Sequence, residues 1–242
     1  MFGTGLSSSQ QQVFLEAEQR WEEIITGDLP DYYLAGYGLI DDLRIDASAV
    51  AIDGADGILG QAGPDVLRPG SFLPVHGMMQ FDTADLAAME ADGTLFDVVL
   101  HEMAHVLGYG TVWADLGLLQ GGGTDDPRFM GPQATLEYNT LFGVSEAGVP
   151  VENLGGDGTA NSHWRETVFG DEALTGFLSG TTHPLSRVSI AQFADLGYQV
   201  DLNQADAFVP APISSFTPSP TSRHIRALHE LSATLLAALK EI

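Results

Sequence analysis

The chain of 242 residues contains no cysteine, which removes disulfides, thiolate metal sites, cysteine nucleophiles and any cysteine-based latency device together. Basic residues are almost as scarce. Nine lysines and arginines, Lys240 being the one lysine, face 33 acidic residues for a formal net charge of −24. Such a surface repels phosphate backbones and anionic lipid, so no nucleic-acid partner is expected. Long apolar runs are also missing, so no membrane span is predicted. The start of the chain lacks a basic stretch followed by an apolar core, so no N-terminal signal peptide is visible. Such a chain is either intracellular or exported through a leader or signal lying elsewhere. An extracellular or secreted location is the expectation, and nothing in the sequence speaks to oligomeric state.

What is present supports a sizeable core: apolar residues make up 44% of the chain and are spread along it. Ser7-Ser8-Ser9 followed by Val13, Phe14, Ala17, Trp21, Ile24 and Ile25 predicts a capped amphipathic helix ended by Gly27 and Pro30. Alternation over Leu39 to Ile52 and Val75 to Phe81 predicts strands, with a short apolar piece from Ile58 to Ala62 after a glycine-rich loop. Asp82 and Thr83 are placed to cap a helix over Ala84 to Ala91, and Thr94 with Asp97 resembles a capping box for the next. Further helices are predicted over Pro132 to Phe142 and Ser186 to Leu196, then a short strand from Tyr198 to Leu202. From Pro210 to Pro220 the composition turns to proline and serine, an extended linker. Ile225, Leu228, Leu231, Leu235, Leu236, Leu239 and Ile242 then form a helical stripe.

The helix opening at Thr94 carries the chemistry. Leu95, Val98, Val99, Ala104, Val106 and Leu107 coat it so broadly that it should run through the core. At its centre stands His101-Glu102-Met103-Ala104-His105. Histidines four apart on a helix project from one face and can chelate one cation, with Glu102 beside that face to reach an activated water. A catalytic zinc needs a third protein ligand. Gly108 would let the backbone leave the helix sharply and carry a later residue towards the metal. The shortest such arrangement would put a histidine where Thr111 stands. His163, His183, His224 and His229 downstream, His76 upstream, or a glutamate such as Glu137 remain, and the glycine-rich approach from Gly155 to Gly158 favours His163.

The run from His101 to Gly108, then Ser162-His163-Trp164, Asp171-Glu172-Ala173-Leu174 and Pro184 to Tyr198, resembles the leishmanolysin family of metzincin zinc proteases over about residues 10 to 208. The resemblance implies one catalytic zinc held by His101, His105 and His163, with Glu102 as general base. It also implies a compact α+β zincin: a twisted mixed sheet, mostly parallel with an antiparallel edge, with an N-terminal helix, the zinc helix and a C-terminal helix. Leu174 stands where metzincins place a methionine in the turn beneath the zinc. That methionine packs without coordinating, so a leucine of similar volume should cost less than about 1.5 kcal/mol.

The stretch from Asp53 to Ala62 with Met79 to Asp82 is also similar to the strand pair preceding the zinc helix in matrix metalloproteases. There Leu59, Gly60, Gln61 and Ala62 would correspond to the edge that pairs with substrate, and calcium binds in similar loops, making Ca2+ near Asp53, Asp56, Asp82 and Asp85 a further expectation. Gln61 and Gln80 replace the histidines of a structural zinc, so none is expected.

The organisation expected is therefore a catalytic domain over 1–208, a Pro/Ser-rich linker over 209–222 and an amphipathic helix over 223–242. The function expected is zinc-dependent endopeptidase cleavage of protein or peptide substrates. The alternatives are a zinc peptidase of another clan with Glu137 as third ligand, and a catalytically inactive, zinc-dependent peptide-binding protein.

Overall fold

The computed structural model describes residues 1–178, 182–210 and 224–228. Its elements run α1 (Ser8–Ile24), β1 (Tyr32–Leu34), β2 (Gly38–Ile40), β3 (Arg44–Val50), β4 (Ile58–Leu67), β5 (Pro74–Asp82), α2 (Leu86–Asp92) and α3 (Leu95–Val106). They continue with β6 (Leu119–Gln120), β7 (Arg128–Phe129), α4 (Pro132–Phe142), β8 (Val149–Pro150), α5 (Glu166–Phe169), α6 (Arg187–Leu196) and β9 (His224–Ala227). The chain is thus mixed α+β with open sheets.

The long helices begin and end where local chemistry puts their boundaries. Ser7 accepts the Gln10 amide while the Gln10 side chain takes the Ser7 amide, a reciprocal capping box that starts α1. The Ser186 hydroxyl caps α6 by accepting the Ser189 amide, and Gly143 and Gly197 end α4 and α6 in the left-handed conformation. The expected capping box at Thr94 does not form: the Thr94 hydroxyl turns back to Asp92, and Asp97 is taken by His183. Asp82 does not cap α2, which begins at Leu86 with Asp85 at its N-cap position. The Asp82 carboxylate accepts the amides of Ile52, Asp53, Gly54 and Ala84, tying the glycine-rich loop to the end of β5. The strand expected over 198–202 is reduced to a single bridge between Val200 and Ile25, followed by a 3-10 turn over Leu202–Gln204.

The principal sheet has the order β3-β5-β4-β9. β3 and β5 are parallel, β4 and β5 antiparallel, and β4 and β9 parallel. The antiparallel strand expected at the edge is therefore internal, because β9 covers its outer side. This also corrects the C-terminal helix expected from 223. Ile225 and Ala227 alternate into the interior, and the edge of β4 pairs with the backbone of the segment while those two side chains are buried. The rest of the expected linker and helix, 211–223 and 229–242, lies outside the described residues.

Helix α3 runs through the middle of the molecule, with ten of its twelve residues buried. It packs against α1 and against β4, β5 and β9. Gly77 on β5 makes that approach close, since a Cβ there would fall 2.6 Å from Val106 Cγ1. On the C-terminal side, Trp113, Trp164, Phe129, Phe169 and Tyr109 form one connected aromatic cluster, with Trp113 and Trp164 stacked at 5.1 Å. That cluster fixes the chain on either side of His163.

Candidate metal centre

One helical turn separates His101 from His105, so both rings leave α3 on one face. The third ring arrives from a loop. Trp164, directly after His163, bridges to Val151 on one side and Thr175 on the other, which holds His163 over the helix. Gly110 makes this possible: with φ of +71°, any Cβ there would lie 2.1 Å from the Ser162 carbonyl oxygen. Thr111, where the shortest ligand pattern would have put a histidine, donates its hydroxyl to the His105 carbonyl.

The Nε2 atoms of His101, His105 and His163 lie 3.0 Å from one another in all three pairs. Each Nδ1 faces a backbone carbonyl: Ala173 at 2.7 Å, Tyr109 at 2.9 Å and Thr159 at 2.9 Å respectively. A carbonyl only accepts, so each Nδ1 carries the hydrogen and, in the neutral ring, each Nε2 presents a lone pair. Three inward lone pairs at this separation call for a cation. The centre of such a triangle is about 1.7 Å from each corner, inside the zinc–nitrogen distance of about 2.0–2.1 Å, so His101, His105 and His163 could together hold one ion of that kind. Burial pulls the His101 pKa down to about 4, with the Ala173 carbonyl opposing and His183 adding a smaller depression. The ring stays neutral, as a ligand must.

Glu102 is wholly buried beside this face, and burial raises its pKa well above the usual carboxylate range. Neither of its carboxyl oxygens has a hydrogen-bond partner among the described residues. Such a carboxyl keeps unused hydrogen-bonding capacity for a water or substrate group. Gly60 on β4 gives the carboxyl its place, since a Cβ there would stand 2.6 Å from Glu102 Oε1.

Three of the other ligand candidates, His76, His183 and Glu137, are occupied elsewhere. His76 lies between Asp65 at 2.5 Å and Asp46 at 3.2 Å. His183 binds Asp97 at 2.7 Å. Glu137 is bound by Arg187 at 2.8 and 3.1 Å between α4 and α6, away from the triad. The backbone of His224 belongs to β9, and His229 lies outside the described residues. Gln61 and Gln80 bond each other across β4 and β5.

Three of the four aspartates of the calcium expectation are engaged with the backbone through their carboxylates. The Asp82 and Asp53 carboxylates and Oδ1 of Asp85 accept backbone amides. Among the described residues these four aspartates do not form a cluster able to hold a cation. The expected substrate edge, Leu59 to Ala62, is also not open: residues 224–227 pair with it.

Two residues matter that the sequence pattern did not single out. Tyr109, buried next to the triad, supplies its carbonyl to His105 and its hydroxyl to the Leu174 carbonyl, while accepting the Trp164 amide. Glu172 accepts the amides of Leu174 and Ser186 and the Ser189 hydroxyl, shaping the turn whose Ala173 carbonyl orients His101. Leu174 is fully buried in that turn.

Comparison with known proteins points to a family of metallopeptidases. The model of the leishmanolysin peptidases matches residues 69–217, a stretch holding all three histidines and Glu102. A ciliated left-right organizer metallopeptidase of Xenopus laevis is 26% identical over 226 residues, covering 76% of this chain and 31% of that protein. A leishmanolysin homolog of Crithidia fasciculata is 27% identical over 133 residues, covering 52% of this chain and 20% of its own length. The chain spans less than a third of either relative. With the family model matched over more than half its residues, the chain belongs to the leishmanolysin family of metallopeptidases.

Proposed function

We propose that this chain is a zinc metallopeptidase that cleaves internal peptide bonds of proteins or peptides in the metzincin manner. The observation that carries the proposal is the meeting of three Nε2 atoms, each oriented through its own Nδ1, with an unpartnered carboxyl on the same helix. His101, His105 and His163 would hold the zinc, which when bound supplies Lewis-acid polarisation of a carbonyl and lowers the pKa of a water towards neutrality. Glu102 then serves as general base, accepting the proton of the attacking water and delivering it to the leaving amine. Its burial favours the neutral carboxyl, and a neighbouring dication opposes this by stabilising the carboxylate. Leu59, Gly60, Gln61 and Ala62 would offer backbone groups to an extended substrate laid along β4.

Zinc-loaded protein is expected to cleave unfolded casein or a peptide library at neutral pH. The Glu102→Gln variant should keep its zinc while kcat falls by about three orders of magnitude or more, because proton transfer and water orientation fail together. Zinc binding without cleavage of any substrate would move the assignment to a peptide-binding protein.

A further inference from the structure

The metal centre is closed. His101, Glu102, His105 and His163 are each 0–1% exposed, so no substrate reaches them in this conformation. What lies across them is the chain's own segment 224–228. On one side it pairs with β4, Ile58 opposite His224, Gly60 opposite Ile225, Gln61 opposite Arg226 and Ala62 opposite Ala227, and the Leu228 amide donates to the Ala62 carbonyl at 2.7 Å. On the other side it meets the loops that carry His163: the Ala227 amide donates to Gly158 at 2.9 Å and the Ile225 amide to Gly176 at 3.4 Å.

The register puts Ile225 over the chemistry. Its partner Gly60 is the residue whose missing side chain admits Glu102. Gly176, its partner on the far side, would bring a Cβ within 3.4 Å of His163 Cγ. A short extended strand, bonded by its backbone to both walls of a cleft and centred on the carboxyl and the metal ligands, is how a peptide occupies such a cleft. The segment also lies beyond residues 69–217, outside the stretch matched by the family model.

We infer that residues 224–228 are a tethered occupant of the peptide cleft, which keep the centre closed until they are displaced. This rests on the peptidase reading for the identity of the cleft. Because the occupant is covalently attached, its effective concentration is set by the intervening chain and can reach the millimolar range. Displacement therefore needs a tight competitor, or loss of its backbone bonds.

Two measurements on the zinc-loaded full chain test this. In the first, a dipeptide hydroxamate, which chelates zinc from within the cleft, is added to the unaltered protein and amide hydrogen exchange is followed. The Ala227 and Leu228 amides should lose protection at least tenfold, whereas protection that persists with the hydroxamate bound overturns the inference. In the second, Ala227→Pro removes the bond to Gly158, and Leu228→Pro separately removes the bond to Ala62. Each should bind the hydroxamate at least tenfold more tightly at unchanged zinc content and raise kcat/KM for a peptide substrate by a similar factor. A synthetic peptide of residues 222–230 added in trans should reverse the gain. Equal hydroxamate affinity in all forms overturns the occupant while leaving the peptidase reading intact. Tighter hydroxamate binding without cleavage by any form sustains the occupant and sinks the peptidase reading. Cutting of the chain within 224–228 on zinc loading overturns it too, since the segment would then be a substrate.

Discussion

Two buried histidine sites in this molecule have opposite chemistry. His76 sits between the carboxylates of Asp65 and Asp46, with Tyr37 against its ring. Burial works to lower its pKa, but the hydrogen bonds and charges of the two aspartates outweigh that and raise it. His101, His105 and His163 have backbone carbonyls behind them, and on His101 burial lowers the pKa, with the Ala173 carbonyl opposing and the charge of His183 adding a smaller depression. A carboxylate partner turns a buried imidazole into half of an ion pair. A carbonyl partner leaves it neutral, with a lone pair to give.

The largest test of that contrast is metal content. His163→Ala should lower zinc affinity by at least about a hundredfold and leave the purified protein largely zinc-free, because removing one of three ligands exceeds the loss seen on removing a supporting group. His76→Ala and His183→Ala should retain about one equivalent. Equal zinc in all three variants, read by elemental analysis, would erase the distinction.

A smaller effect separates the two sites by pH. In metal-free protein the His101 pKa falls from 6.5 unfolded to about 4 folded. The native state thus binds fewer protons between these values, and stability declines as pH drops through that window, by roughly 3 kcal/mol at pH 4. His76 runs the other way. Its raised folded pKa gives stability that is complete below the unfolded value and lost as pH rises through the folded one. Urea unfolding of metal-free His101→Asn should therefore show a shallower acid decline than the parent, while His76→Asn should flatten the loss on the alkaline side. Parallel profiles for the two variants would contradict the contrast.

The smallest effect expected is at the turn behind His101. Leu174→Met should change stability by less than about 1.5 kcal/mol and leave zinc content unchanged, since the turn acts through the Ala173 carbonyl and the buried side chain only fills volume. A marked drop in zinc affinity would give the Leu174 side chain a role in holding the ligands.

The sequence carried the helices and the ligand pair plainly because those signals are local. Ser7 with Gln10, Ser186 with Ser189 and Gly143 each act within one turn of chain, and His101 and His105 share a face through helical spacing alone. His163 was favoured by its glycine-rich approach, but what brings it over the helix is the Trp164 bridges and the clearance at Gly110, contacts between segments distant in sequence. The role of Tyr109 and the approach of Gly60 to Glu102 escaped notice for the same reason: each meets its partner across more than forty residues. Residues 224–228 misled for a different reason. Ile225 and Leu228 fit a helical stripe with the leucines that follow, while Ile225 and Ala227 equally fit a strand, and only the edge of β4 decides between them.

A chain without cysteine still has a means of cross-linking itself. Once a metal joins the imidazoles, His105 and His163 close a loop of 58 residues, and by chain entropy a tie of that span constrains the unfolded state by about 4 kcal/mol, comparable to a disulfide. Unlike a disulfide it is independent of redox conditions and can be undone by chelation. The durability of the whole fold is thereby tied to the supply of the ion, so withdrawal of the metal should leave a protein more open to proteolysis as well as inactive.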